Sequence, residues 1–265
     1  MRHVAGQQAE VAKTTKNKGV KNKPIWLFGC DLGTISIVEN YGDFRMTKKN
    51  SAAKKTLVTL LLDRSGSMQN VKDDTIGAIN AYLATLRASG EDIRFSLVMF
   101  DANFSGGMDL SRICVAKKIS KVADLTSDDF QPRGQTPLID ASCATIQAVA
   151  ESLGDRTDTN VVFAIQTDGA ENASVEFTWE GLRSLIAEKE VLGWEFNFMG
   201  CGIDAYEQGA RMGISRDKTL SYGKDRIATR AAFEATASNT ALYASGTTAS
   251  VGYTSEQKKS AGDLS

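Results

Sequence analysis

The chain has 265 residues, 42% of them hydrophobic and 24% charged, with a formal net charge of −1. That is ample apolar material for a full core, an ordinary globular balance, and no apolar run approaches the ~20 residues that span a bilayer. The small total hides a division: residues 1–55 hold 11 Lys or Arg against 4 Asp or Glu, and the remainder 20 against 28.

The leading segment, 1–55, is therefore basic, and it reads as a disordered or optional extension. Lysines between Lys13 and Lys23 and between Lys48 and Lys55 would attract phosphate only non-specifically. No aromatic residues interleave with them, so no specific nucleic-acid partner is expected. Met1 to Lys23 lacks the apolar stretch of a secretory signal, which together with the absence of a spanning segment implies a cytoplasmic protein and no membrane partner. Met46 offers an alternative start just ahead of the first strand. Cys30, Cys114, Cys143 and Cys201 lack paired spacing and are expected as buried free thiols.

The first strand is the run Thr56 to Leu62, which ends in Asp63-Arg64-Ser65-Gly66-Ser67. Apolar residues at helical spacing follow from Val71 to Arg87, stopped by Ser89-Gly90. Phe95 to Phe100 forms the second strand, and a polar turn at 103–107 leads into the β-rich stretch Met108 to Val115, a hairpin-like antiparallel edge. Leu138 to Leu153 is the next helix, with Pro137 at its start, where a missing N–H is harmless. Strand Val161 to Gln166, helix Trp179 to Glu190, strand Trp194 to Met199, helix Ala205 to Met212, a short strand near Leu220 and helix Lys224 to Tyr243 complete the rhythm. Such alternation predicts an α/β, Rossmann-like three-layer α/β/α sandwich with a mostly parallel central sheet and one antiparallel edge strand. The segment 245–265, small and polar, is expected to be a flexible tail.

Three fragments carry the chemistry. Asp63, Ser65 and Ser67 follow the first strand, Thr136 stands just before a helix, and Asp168 follows a later strand in Thr167-Asp168-Gly169. In open parallel sheets, loops at the carboxyl ends of strands gather into one crevice despite their separation in sequence. Carboxylate and hydroxyl oxygens of this kind suit a hard divalent cation. The order Asp-x-Ser-x-Ser, then Thr, then Asp resembles the metal-ion-dependent adhesion site of von Willebrand factor A-type domains, over residues 56–244. The resemblance implies that Ser65, Ser67 and Thr136 touch Mg²⁺ (or Mn²⁺ or Ca²⁺) directly, while Asp63 and Asp168 act mainly through water. It also implies an open coordination place for an Asp or Glu of a protein partner, hence a metal-dependent interaction module, a non-enzyme, within a larger assembly.

Rival readings fail at named residues. An EF-hand loop wants glycine at its sixth position, where Met68 stands, and acids or amides where Ser65 and Ser67 stand. An aspartyl-phosphate phosphatase needs a second Asp at Ser65. Gly200-Cys201-Gly202 lacks the third glycine of a dinucleotide loop. Ile25 to Thr34 resembles the first phosphate loop of actin-like and Hsp70-like ATPases, but the chain has no room for their further lobes. A metal-assisted hydrolase stays as the alternative, as does a structural subunit with the metal as a staple. Arg64, Met68, Gln69, Arg133, Gln135, Glu171 and Asn172 lie in or beside the candidate loops, either as partner-reading residues or as filler. Asp140 is assigned to the first helical turn, where the helix dipole favours a negative charge.

Overall fold

The computed structural model describes residues 54–103 and 107–263. The leader, with His3, Cys30, Met46 and the phosphate-loop-like stretch, lies outside these residues. Six strands form one sheet: β1 (Lys55–Asp63), β2 (Ile93–Ala102), β3 (Met108–Lys118), β4 (Thr159–Thr167), β5 (Glu195–Cys201) and β6 (Thr219–Tyr222). Their order is β3-β2-β1-β4-β5-β6. All neighbouring pairs run parallel except β2 with β3, so the sheet is mixed at one edge as expected.

Helices α1 (Lys72–Ala88), α5 (Arg226–Ala244) and α6 (Ser255–Ser260) belong to one layer, and α2 (Leu138–Leu153), α3 (Trp179–Val191) and α4 (Ala205–Met212) to the other. The strands supply both cores because successive residues point to opposite faces. Val58, Leu60 and Leu62 of β1 join Tyr82, Phe95 and Phe233 on one side. Leu57 and Leu61 join Phe163, Phe196 and Ile146 on the other. Burial on both faces explains why β1 reads as a continuous apolar run.

Three outcomes depart from the expectations. Cys143 and Cys201 are buried free thiols as expected, but Cys114, on the edge strand β3, is only partly buried. The β3 strand runs on to Lys118, with register irregularities opposite Phe95, Leu97 and Val98 and a positive φ of 45° at Ala116; its charged second half hides the strand from an apolar pattern. The segment after α5 is not a free tail. Val251 and Ala261 are fully buried, Tyr253 nearly so, and Asn239 Nδ2 donates to the Gly252 carbonyl at 2.9 Å. The tail's few large residues are spaced among Gly, Ser and Lys, so its composition conceals its packing. Helix α6 is further fixed by a capping box between Thr254 and Gln257.

Candidate metal centre

The order of the sheet reverses between β1 and β4, the crevice where open α/β sheets bind ligands. The tips of these two strands meet there. Asp63 ends β1 and is fully buried. Its Oδ1 accepts from the Ser65 backbone N–H at 2.6 Å and its Oδ2 from the Thr167 hydroxyl at 2.5 Å. After Ser65 the chain turns into a 3₁₀ helix, Gly66–Val71, anchored by buried Met68, which leaves Ser67 exposed above it. The Ser65 and Ser67 hydroxyls are 3.1 Å apart, and Ser67 Oγ donates to Asp168 Oδ1 at 2.6 Å.

Thr136 reaches the same cup from the loop before α2. A Cβ placed on Gly169 would lie 2.9 Å from Thr136 Oγ1 and 3.7 Å from Ser67 Oγ, so both hydroxyls border one small space that glycine leaves clear. The structure thus brings together all of Asp63, Ser65, Ser67, Thr136 and Asp168. Among the described residues no group of three or more His, Cys, Asp or Glu side chains is placed to hold a metal. A cation here would be held largely by neutral hydroxyl oxygens, with two carboxylates balancing its charge. That donor set fits a hard divalent ion.

Burial raises the Asp63 carboxyl to about 7, against the lowering effect of its bonds from Thr167 and Ser65. Burial also raises Asp168, opposed by the Ser67 hydrogen bond and the charge of Lys224. Both carboxylates therefore hold their charge at a cost that a cation between them would offset.

Surrounding residues build the cup. The α2 helix has no side-chain cap from Pro137; instead Glu171 Oε2 accepts from Ile139 N at 2.9 Å and Ser174 Oγ from Asp140 N at 3.0 Å. A negative group at a helix N-terminus is favoured by its orphan N–H groups and its dipole. Asn172 Oδ1 accepts from Thr136 N at 2.9 Å, and Asn172 N donates to the Thr136 carbonyl at 3.1 Å. These two bonds fix the backbone that carries the Thr136 hydroxyl.

Asp140 does more than meet the dipole. Its carboxylate accepts from the backbone N–H groups of Val175, Glu176 and Phe177, the shortest at 2.7 Å, and so pins the loop that follows Asp168. Arg64 and Arg133 are structural too. Both donate through Nε to Asp101 Oδ2, at 2.9 and 3.0 Å, and Arg133 also pairs with Asp109. Arg133 N donates to the Arg64 carbonyl at 2.8 Å and Gly66 N to the Gly134 carbonyl at 3.1 Å, which staples the two hydroxyl-bearing loops together. Gly134 has φ +67°, and a Cβ there would meet the Ala102 carbonyl oxygen at 1.8 Å.

Thr167, Asp101 and Asp109 contribute to the cup without belonging to the Asp-x-Ser-x-Ser, Thr and Asp pattern. Thr167 carries one local signal, a hydroxyl ending an apolar strand directly before Asp168. The two aspartates act through partners distant in sequence, which no spacing reveals.

No family model matches the chain, and no curated protein is similar to it in sequence. Solved structures are. The pilus adhesin SpaC of Lactobacillus rhamnosus GG, in its open conformation, matches with a TM-score of 0.55 at 16% identity, over 72% of this chain and 30% of that one. Proximal thread matrix protein 1 of the mussel byssus matches with a TM-score of 0.53 at 14% identity, over 71% and 47%. A protein named von Willebrand factor type A, from Catenulispora acidiphila, matches with a TM-score of 0.46 at 13% identity, over 71% and 43%. This chain thus spans about a third to a half of the length of each. The likeness to the first two establishes the Rossmann-like, three-layer fold. No helix among the described residues is long and apolar enough to cross a membrane.

Proposed function

We propose that this protein is a metal-dependent protein-interaction module. Ser65, Ser67 and Thr136 would offer hydroxyl oxygens to a divalent cation, Mg²⁺ first and Mn²⁺ or Ca²⁺ as alternatives, while Asp63 and Asp168 balance its charge from behind. Neutral ligands leave the ion electrophilic, able to accept an Asp or Glu from a partner protein. The observation that carries this reading is the unbroken hydrogen-bonded chain Thr167–Asp63–Ser65–Ser67–Asp168, with Thr136 beside it.

Docking fits better than catalysis, because the nearby acids are committed to scaffolding. Asp63 is bonded to Ser65 and Thr167, Glu171 to the start of α2, Asp140 to the following loop and Asp101 to two arginines. None of these four is left poised as a general base, and Asp168, bonded to Ser67, is assigned to balancing the cation's charge. An adhesin and a thread matrix protein among the structural neighbours are in keeping with an interaction role, although the fold alone is what they share with this chain. Free thiols at Cys114, Cys143 and Cys201 are in keeping with a reducing compartment; we propose a cytoplasmic protein and, separately, a component of a larger assembly.

Calorimetric titration of Mg²⁺ and Mn²⁺ into metal-free protein tests the reading, beside Ser67→Ala, whose exposed side chain can be lost without disturbing the core, and Asp63→Ala checked for folding. Saturable binding in the parent, weakened at least tenfold in both variants, is expected. Equal binding in the parent and both variants, or none in the parent at millimolar metal, overturns it.

A further inference from the structure

Three cationic side chains are tied to the candidate metal centre, and they differ in what neutralises them. Arg64 and Arg133 are spent on Asp101 and Asp109. Lys224, on the turn between β6 and α5, makes no ion pair among the described residues, and it is the one of the three in that state. The carboxylate next to it in sequence, Asp225, is turned away: its Oδ1 caps α5 by accepting from Ile227 N and Ala228 N, each at 3.0 Å.

The Lys224 stem is nonetheless held in place. It lies flat across Gly202, where an added Cβ would meet Lys224 Cε at 2.1 Å. Gly202 has a φ of +62° and its N–H donates to the Tyr222 carbonyl at 3.1 Å, so the turn after β5 is shaped as a bed for this side chain. Aliphatic packing of a lysine stem with its ammonium left in water is a familiar arrangement. Thr167 pairs with Gly200 across β4 and β5, so this bed at Gly202 stands beside the loop that carries Asp168, whose own bond goes to Ser67.

We propose that Lys224 is a specificity-determining contact of the docking site, one that selects partner segments carrying a second acidic residue beside the carboxylate that meets the metal. The inference rests on the metal-dependent docking reading and deepens it. A single partner carboxylate satisfies the open coordination place. A cation at the rim that makes no ion pair among the described residues supplies a second point of recognition and a direction for the incoming acidic segment. Charge placed at a rim acts more on choice of partner and rate of encounter than on total affinity.

The test uses full-length protein saturated with Mg²⁺ and short blocked peptides, with one Glu or with two Glu at spacings of two and of four residues, followed by NMR titration. One of the two-Glu peptides is expected to bind about threefold tighter than the one-Glu peptide, the size of effect an exposed ion pair gives. Lys224→Gln, which keeps the stem over Gly202, is expected to abolish that preference and leave one-Glu binding unchanged. Lys224→Glu is expected to reverse it, and raised salt to shrink it in the parent. A preference that survives in Lys224→Gln, or no preference in the parent while one-Glu peptides still bind in a chelator-sensitive manner, overturns the role of Lys224 alone. No chelator-sensitive binding of any peptide overturns the docking reading and this inference with it, and the Mg²⁺ titration then shows whether metal binding itself has failed.

Discussion

The Thr167 hydroxyl donates to the Asp63 carboxylate at 2.5 Å, a bond between the tips of β1 and β4 that joins residues 104 positions apart. Thr167 also accepts from Gly169 N at 3.0 Å, so one hydroxyl sets both the buried carboxylate and the turn behind Asp168. Thr167→Val keeps the shape and removes the bond. Leaving a buried acceptor unsatisfied costs about 1–3 kcal/mol. The urea midpoint should fall accordingly, and Mg²⁺ binding should weaken as Asp63 loses its fixed orientation.

Burial brings the Asp63 carboxyl to about 7, above the value of roughly 4 for an unfolded aspartate. The folded state therefore takes up this proton more readily than the unfolded one. The resulting stabilisation is complete below roughly pH 4 and is lost as pH rises through about 7. In chelator, the parent should lose stability relative to Asp63→Asn between pH 5 and pH 7.5, read from paired urea melts. Metal affinity should move the opposite way, falling about tenfold per pH unit below 7 because the ion must displace the proton. A pH-independent difference between parent and variant would contradict this.

Glycine is required at position 134 by both backbone and space. Gly134→Ala forces a residue with a side chain to φ +67° and drives its Cβ into the Ala102 carbonyl. Gly90, at φ +74°, has nothing within 4 Å of its would-be Cβ. Gly90→Ala should cost about 1 kcal/mol from conformation alone, and Gly134→Ala clearly more, with loss of Mg²⁺ binding as the Gly66–Gly134 bond is displaced. Equal thermal shifts in the two variants would refute the close approach.

Asp140→Ala removes the acceptor for three successive backbone N–H groups, those of Val175, Glu176 and Phe177. Hydrogen exchange at Val175 and Phe177 should accelerate markedly while β1 and β4 keep their protection. If Asp140 merely met the helix dipole, exchange would change at the start of α2 instead.

Deleting residues 250–265 should lower stability by several kcal/mol, at about 1.5–3 kcal/mol for each large buried apolar side chain lost. Val251 and Tyr253 go, and Asn197 Nδ2 loses the Val251 carbonyl it donates to at 3.1 Å. Calorimetric melting of the shortened protein checks this; an unchanged midpoint would mean the segment is dispensable.

The parallel strands and most helices were legible because apolar period and breakers coincide there. Leu138–Leu153 and Ala205–Met212 carry both signals, and they form as expected. The five oxygen-bearing positions were legible because each sits in a short local fragment at a strand or helix end. What surrounds them was not. Glu171 capping α2, Asp140 pinning a loop 35 residues on and Asp101 bridging two arginines are partnerships set by the tertiary fold, and each partner alone looks like loop polarity. The far half of β3 and the segment after α5 were hidden for another reason: charged or small residues dominate their composition, while pairing or a few buried side chains decide their structure.

The same C-terminal segment also governs how the sheet meets other molecules. At one border, β3 carries Lys117 and Lys118 beyond an irregular register, a poor template for an added strand. At the other, β6 is only four residues long. It is closed by Gly223 N donating to the Ala261 carbonyl at 3.1 Å and Ser221 N donating to Asp263 at 3.2 Å. Unpaired strand edges invite aggregation. Proteolytic clipping ahead of Val251 would leave the Ser221 and Gly223 N–H groups without these partners, so residues 251–263 close the β6 edge as well as filling part of the core.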